Sequence, residues 1–313
     1  MLLYILRRLA ATIPVMLVVA VLVFLMLPLT PGDPAAIIAG DNANAEQIAL
    51  IRDRLGLDRP ILTQFAIWIG RVLQGDFGES FFFKKTVAEL ILGRLEPTLA
   101  LALCTIAVAV AVAVPLGVLA AYKQGTWIDR IVMGFSVLGF SVPVFVIGYA
   151  LIYVFAIKLA WVSVQGYQPL AQGLGGFLQR LILPSLTLSV IYVALIARMT
   201  RTSVLETLGE DYIRTARAKG QVELKILFRH ALRNAAVPIV TVIGLGIALL
   251  IGGVVVTESV YSIPGLGRLT VDAVLARDYP TIQAVILLFS FAYVLINLLI
   301  DLTYLVLDPR IRY

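Results

Sequence analysis

Charge is what this chain has least of. Asp, Glu, Lys and Arg make up 14% of its 313 residues and hydrophobic residues 60%, with a mean hydropathy of +0.97. A soluble domain carries about 25% charged residues, so a soluble globular protein is excluded in favour of an integral membrane one. There is one cysteine, Cys104, inside an apolar run. It forms no intrachain disulfide and reads as a small buried hydrophobe. There is one histidine, His230, which by itself builds neither a zinc site nor a Ser-His-Asp triad. It reads as solvated or helix-packing within a basic segment. No Gly-x-x-x-x-Gly-Lys-Ser/Thr phosphate loop occurs, so ATP hydrolysis by this chain is not expected. No catalytic or metal-ligating constellation stands out, which disfavours a membrane-embedded enzyme. The long apolar runs are also nearly free of acids, Asp301 excepted. An ion-coupled secondary transporter places ionisable groups at membrane depth, so that class is disfavoured too.

What is present is apolar length. Six runs reach the roughly 20 residues that a helix needs to cross a hydrocarbon core: Leu9–Leu29, Thr98–Ala121, Ile131–Ile157, Leu181–Met199, Ile239–Thr257 and Thr281–Leu307. Lipid offers no hydrogen bonds to the backbone, so they are helices. The first run is too long for a cleavable signal peptide. Pro14, Pro115 and Pro143 and the glycines 244, 246, 252 and 253 suggest bends or close helix contacts.

Orientation follows from the basic residues. Arg7, Arg8, Lys123, Arg130, Arg310 and Arg312 fall on one side, together with eight in the segment 201–238 and its approach (Arg198, Arg201, Arg214, Arg217, Lys219, Lys225, Arg229, Arg233). The opposite short loops hold only Lys158, Arg180, Arg268 and Arg277. Positive residues mark the cytosolic side, which puts both termini and the 201–238 segment there.

The connection 30–97 is then a helical extracytoplasmic insertion after the first span. Asn44 and Gly56 bracket AEQIALIRDRL, Pro60 and Gly75 bracket ILTQFAIWIGRVLQ, and Thr86 with Glu89 has the spacing of a capping box before Leu90 to Leu95. Three short amphipathic helices are expected, either a docking platform or a structural plug. The second outer loop, Lys158 to Arg180, reads as a mobile Gly- and Gln-rich stretch. The third, from Glu258 to Pro280, reads as a turn at Ser262–Gly267 followed by a short helix. The domain layout is 1–29, 30–97 and 98–313.

The most polar stretch is RTSVLETLGEDYIRTARAKGQVELKILFRHALRNAAVP, from Arg201 to Pro238. Glu210 and Asp211 precede a helix-compatible run from Tyr212 to Lys219, and Arg217 and Lys219 suit the negative end of its dipole. Gly220 supplies a left-handed turn, and a second helix is expected from Val222 to Asn234.

At these residues the chain resembles the membrane-spanning subunits of bacterial ABC importers. Their cytosolic loop carries Glu-Ala-Ala, three residues, Gly, nine residues, then Ile-x-Leu-Pro. Arg214-Thr215-Ala216, Gly220 and Leu232 take those places here, while His230 and Arg233 stand at the Ile and Pro positions. DYIRTARAKG with RHALRNA resembles the peptide, opine and nickel branch. So do LTPGDP (Leu29 to Pro34), LGLDRP (Leu55 to Pro60), GDFG (Gly75 to Gly78), PGLGRL (Pro264 to Leu269), RDYP (Arg277 to Pro280) and DPRIRY (Asp308 to Tyr313).

The resemblance implies an all-α, six-helix permease of the type I importer fold in the bacterial inner membrane. It further implies ATPase coupling through Glu210, Asp211, Tyr212, Arg214, Thr215, Ala216, Arg217, Ala218, Lys219 and Gly220, with Ala216 and Ala218 as the small surface for close approach. Pro264, Gly265, Leu266, Gly267 and Arg268 would lie near the gate or touch a binding protein. The implied partners are a homologous second permease, one or two kinds of ATP-binding subunit carrying ATP and Mg, and an extracytoplasmic solute-binding protein. No cofactor on this chain and no nucleic acid are implied. Di- or oligopeptides, glutathione among them, are the implied substrates, with opines or nickel chelates as the alternative.

Overall fold

The computed structural model describes residues 2–29, 32–33, 35–36, 44–80, 82–164 and 166–307. Parts of the LTPGDP motif (Thr30, Pro31, Pro34), the segment 37–43 and the whole DPRIRY tail lie outside the described residues. Among the described residues the regular structure is helical apart from one two-stranded hairpin. The helices are α1 Leu2–Leu25, α2 Ala45–Leu55, α3 Ile61–Leu73, α4 Val87–Tyr122, α5 Trp127–Ser141, α6 Val144–Leu151 and α7 Leu174–Leu208. They continue with α8 Asp211–Ala218, α9 Glu223–Lys225, α10 Leu232–Asn234, α11 Ala236–Val260, α12 Leu266–Leu275 and α13 Tyr279–Leu307. The backbone divides into two compact units, residues 1–96 with 265–295 and residues 97–264 with 296–312.

In the first unit, α2 begins and ends as its sequence dictates. Asn44 Oδ1 accepts from the Gln47 N–H at 2.8 Å and Gln47 Oε1 accepts from the Asn44 N–H at 3.0 Å, a reciprocal cap. Gly56, at φ +63°, closes the other end. Helix α3 follows Pro60 and ends at Leu73. Its Phe65 meets Phe24 of α1 edge to face, ring centres 5.3 Å apart. Between them and α4 sits a hairpin, Glu79–Ser80 paired with Lys85–Thr86, that period and composition did not announce. Ser80 Oγ donates to the buried Asp278 carboxylate at 2.5 Å, and Thr281 Oγ1 donates to the same oxygen at 2.6 Å. Val87, Leu90 and Ile91 close a core with Leu269, Ala284 and Val285.

The third short helix expected after Thr86 is not a separate element. Thr86 Oγ1 does accept from the Glu89 N–H at 3.3 Å, but the helix so started runs on to Tyr122 through Pro97 and Pro115. Proline inside a membrane helix is tolerated because neighbours restore the lost contacts, so Pro97 does not end it.

In the second unit the core is built from Leu101 and Ala113 of α4, Leu181, Leu188 and Ile196 of α7, and Leu250 and Val254 of α11. Helices in lipid gain little from the hydrophobic effect and associate by close contact at small residues. Gly117 shows this: a Cβ there would stand 2.7 Å from the Ala197 carbonyl oxygen.

Among the described residues five helices are long and apolar enough to cross a membrane, and a bent pair makes a sixth if counted as one span. That pair replaces the straight run expected over Ile131–Ile157. It consists of α5, and of α6 continued by a π-helical turn Ile152–Lys158, and it turns through 105°. Pro143 is the cause. It has no N–H to give the Gly139 carbonyl, and its ring forces Val142 into extended backbone at φ −98°, ψ 124°. Pro14 and Pro115, by contrast, sit within continuous helices.

Two loop expectations are also corrected. Leu174–Arg180 belongs to α7, leaving only a short 3₁₀ turn, Leu170–Gln172, before it. Glu258 is not in a loop but in the last turn of α11, fully buried, where it accepts from Thr98 Oγ1 at 2.6 Å. The membrane helices therefore hold buried acid that their hydropathy concealed.

Candidate functional site: a two-armed hook after the long α7 helix

Helix α7 is released at Gly209, and Glu210, extended at φ −70°, ψ 148°, redirects the chain into α8. Asp211 stands in the first turn of α8 and Arg217 in the last, each at the end of the dipole that favours its charge. The period places Ile213 and Ala216 inward, where they pack with Ile226 and Leu208. Asp211, Tyr212, Arg214, Thr215, Arg217, Ala218 and Lys219 face outward. Ala216 is thus turned toward its own chain rather than contributing to the small outer surface expected of it. Ala218 remains exposed in that role.

Gly220 makes the turn. At φ +74° it donates its N–H to the Arg217 carbonyl at 2.9 Å, while the Gln221 N–H reaches the Ala216 carbonyl at 3.2 Å. These two bonds are the Schellman closure of a helix, and they point the second arm back along the first. That arm is helical from Glu223 to Asn234, with a π-helical middle, Ile226–Ala231.

Two polar ties join the arms, and a third holds the turn to the second arm. Arg217 grips Glu223 with Nε at 2.8 Å and Nη2 at 3.4 Å. Gln221 Oε1 lies 2.9 Å from His230 Nε2. Asn234 Nδ2 donates to the Tyr212 hydroxyl at 2.9 Å. Burial is the main cause that pushes the Tyr212 phenol above its ordinary value, with the Glu210 carboxylate adding and the Asn234 bond opposing, so it stays neutral. The Glu223 carboxylate raises Arg217.

The second arm also binds the hook to the bundle. Leu227 and Ala231 are buried with Val118 and Ala121 of α4, Val204 of α7 and Ile239 of α11. Displacement of the hook therefore loads three membrane-crossing helices at once. Beside it, Arg201 holds both oxygens of Asp129 at 2.5 and 2.8 Å, and the Gly125 N–H donates to the same carboxylate at 3.0 Å.

The other predicted cluster divides. Pro264 is exposed, Gly265, Leu266 and Gly267 are buried, and Arg268 is half-buried. Gly265 precedes α12, whose Leu266 is 2% exposed and packs with Leu90 and Ile91. Asp272 stands between Arg94 and Arg268, at 3.9 and 4.0 Å. Among the described residues no group of three or more His, Cys, Asp or Glu is placed to hold a metal ion. The hook offers a shaped and charged surface, not a nucleophile with a base.

Residues 113–313 match the family described as binding-protein-dependent transport system inner membrane component. Residues 1–102 match the N-terminal region of such membrane components. The chain belongs to this family of transport permeases. One relative, named "Probable peptide ABC transporter permease protein" in Sinorhizobium fredii, is 55% identical over 99% of both chains. The glutathione transport system permease protein GsiC of Salmonella typhi is 47% identical over the full length of both. Among solved structures, the inward-facing MetNI methionine ABC transporter superposes with a TM-score of 0.57 at 19% identity, over 70% of this chain and 96% of that one.

This permease is therefore a multi-pass inner-membrane subunit with the type I importer fold, and not an enzyme. It works with ATP-binding and substrate-binding partners. Of the hook, the sequence marked the first arm, Gly220 and a second helix over Val222–Asn234, but gave no role to Gln221, Glu223 or Asn234, nor to Asp129 of α5. Arg217 and Glu223 are six residues apart, a spacing that signals a pair only once a turn is placed between them.

Proposed function

We propose that this permease imports di- or oligopeptides, glutathione included, and is driven through the outer face of its hook, Glu210–Gly220. Support for the substrate class comes from the two long relatives, whose names specify peptide and glutathione transport. The observation that carries the coupling role is the hook's construction. One arm is exposed and charged, and the other is buried against α4, α7 and α11. A force applied to the first arm by a closing motor passes through Gly220 and the Arg217–Glu223 tie into the helices that form the pathway.

ATP and Mg then belong to the partner subunits. Each of two ATP-binding subunits, of one or two kinds, needs a hook, and this chain carries one. A second, homologous permease completes the pathway, both termini lie in the cytosol, and residues 30–97 form the outer insertion. A solute-binding protein delivers substrate at the outer face, and Pro264–Arg268 lie near that entrance. Transport alternates access: ATP binding closes the motor and opens the cavity outward, and hydrolysis resets it.

Arg214→Glu tests the coupling face. The Arg214–Asp211 pair is exposed on both sides, so its loss leaves folding nearly untouched. The expected result is a permease inserted at normal level that no longer retains ATP-binding subunits in mild detergent and transports at least tenfold more slowly. Normal retention together with normal uptake would overturn the assignment. For the substrate, deletion of the gene is expected to abolish ATP-dependent uptake of a labelled dipeptide or of glutathione. Unchanged uptake of both removes that class.

A further inference from the structure

The turn from α2 to α3 holds a small polar groove of about 130 Å³. Asp53 comes to it from the end of α2 and Arg59 from the turn. Gln64, Ile67, Trp68 and Arg71 come from α3, at the i, i+3, i+4, i+7 spacing that puts all four on one face of that helix. The groove is held in shape by its own hairpin. Gly56 closes α2 with its N–H on the Asp53 carbonyl at 3.0 Å, and the Arg59 side chain lies across it, Cδ 3.6 Å from where a Cβ would stand. Gln64 Nε2 donates to the Leu57 carbonyl at 3.1 Å and to the Arg59 carbonyl at 2.8 Å, which ties the turn down onto α3. Trp68 is held by Phe24 of α1, ring centres 5.6 Å apart.

Both arginines are exposed, and neither forms an ion pair with a described residue, Asp53 included. Two guanidinium groups against one carboxylate leave the groove with one positive charge in excess.

We propose, on the outward placement of residues 30–97 given above, that this groove receives a single Asp or Glu side chain of the substrate-binding partner. Planar guanidinium groups bind a carboxylate through directed, charge-assisted bonds, and arginine and tryptophan are enriched where interfaces hold most tightly. One excess charge calls for one carboxylate, and Asp53 stands against an acidic patch. A free carboxylate in so open a groove gains too little, since each exposed ion pair strengthens binding by no more than about fivefold. A protein adds the rest of its interface. A lipid headgroup is a poorer complement: its phosphate would meet Asp53, and only Ile67 and Trp68 offer its tails an apolar wall.

The native permease complex, in nanodiscs of phosphatidylcholine and phosphatidylglycerol, is titrated with the purified substrate-binding protein of the same transport system, and binding is followed by biolayer interferometry. Arg71→Ala should weaken binding by about tenfold or more, and Arg59→Glu/Arg71→Glu by about 100-fold. Neither change strands a buried group, so both variants should insert at the normal level. Added salt should weaken the native interaction more steeply than that of the double variant. A photo-crosslinker placed at Arg71 should capture the binding protein. One placed at Leu62, 80% exposed and nearly opposite the groove-lining face of α3, should not. Unchanged affinity in the double variant overturns the proposal, as does capture from Leu62 but not from Arg71, or capture of lipid alone from Arg71. Failure of the native complex to bind the protein at all would remove the outward docking reading itself, and the role of this groove with it.

Discussion

Asp129 and Arg201 show how a membrane protein can afford a charge near the end of its helices. Both carboxylate oxygens are bound by one guanidinium and a third donor comes from Gly125, with Asp129 6% exposed and Arg201 22%. Removing the cation alone strands the acid, so Arg201→Ala should cost about 3 kcal/mol of stability in detergent unfolding. Asp129→Asn, which keeps an acceptor for Gly125, should cost clearly less. Equal costs would show that the ionic component contributes nothing. Gly220 calls for a different kind of reasoning. Its φ of +74° penalises any side chain by about 1 kcal/mol, but nothing lies within 4 Å of the position. Gly220→Ala and Gly220→Trp should therefore destabilise the isolated chain equally. If coupling is as proposed, only the tryptophan should displace the ATP-binding subunits in a pull-down. Gly220 was legible in the sequence because a left-handed turn after a helix leaves a residue-type signature. Asp129 was not, because its partner lies 72 residues away and only tertiary packing joins them.

At the scale of elements, the hook rests on one apolar contact and three polar ties of unequal weight. Ile226, fully buried against Ile213 and Ala216, is the apolar contact. Ile226→Ala should cost about 3 kcal/mol and speed amide exchange across 210–234. Arg217→Ala, half-exposed in its tie to Glu223, should cost under about 1 kcal/mol and leave exchange of α8 little changed. The reverse order would mean that the arms are joined by charge. Local signals had given the caps of α2, the start of α3 and the turn at Gly220. They failed where an element's end depends on its surroundings. Thr86 and Glu89 announced a helix start correctly, yet nothing local shows that the helix passes Pro97. Pro143 read as one bend among three candidates, and nothing local distinguishes it from Pro14 and Pro115, which sit within continuous helices.

At the scale of the whole molecule, the proposed sidedness is a matter of counting crossings. In a Cys104→Ala background, Gln124→Cys and Ala218→Cys should react with an impermeant maleimide only in inverted vesicles, and Leu170→Cys only in right-side-out ones. All three positions are exposed. Reaction of Gln124→Cys and Leu170→Cys from the same side would make the α5–α6 pair re-entrant and put the termini on opposite faces. Apolar length made the membrane class and the helix count readable at once. Like Asp129, the buried acids Glu258 and Asp278 were not readable, since each lies at the margin of an apolar run and bonds to chain far away in sequence, Thr98 and Ser80.

The break at Pro143 also bears on the lipid around the protein. Fifteen residues of α5 extend about 22 Å, and Val144–Lys158 about the same. Joined at a turn of 105°, the two halves have tips only about 27 Å apart, short of a hydrocarbon layer about 30 Å thick. Counted as one crossing, the pair is too short for the bilayer it sits in. A span that short is met by local thinning of the bilayer, by flanking side chains reaching to the headgroups or by oligomerisation, so the proline that shapes the protein also sets how it meets the lipid.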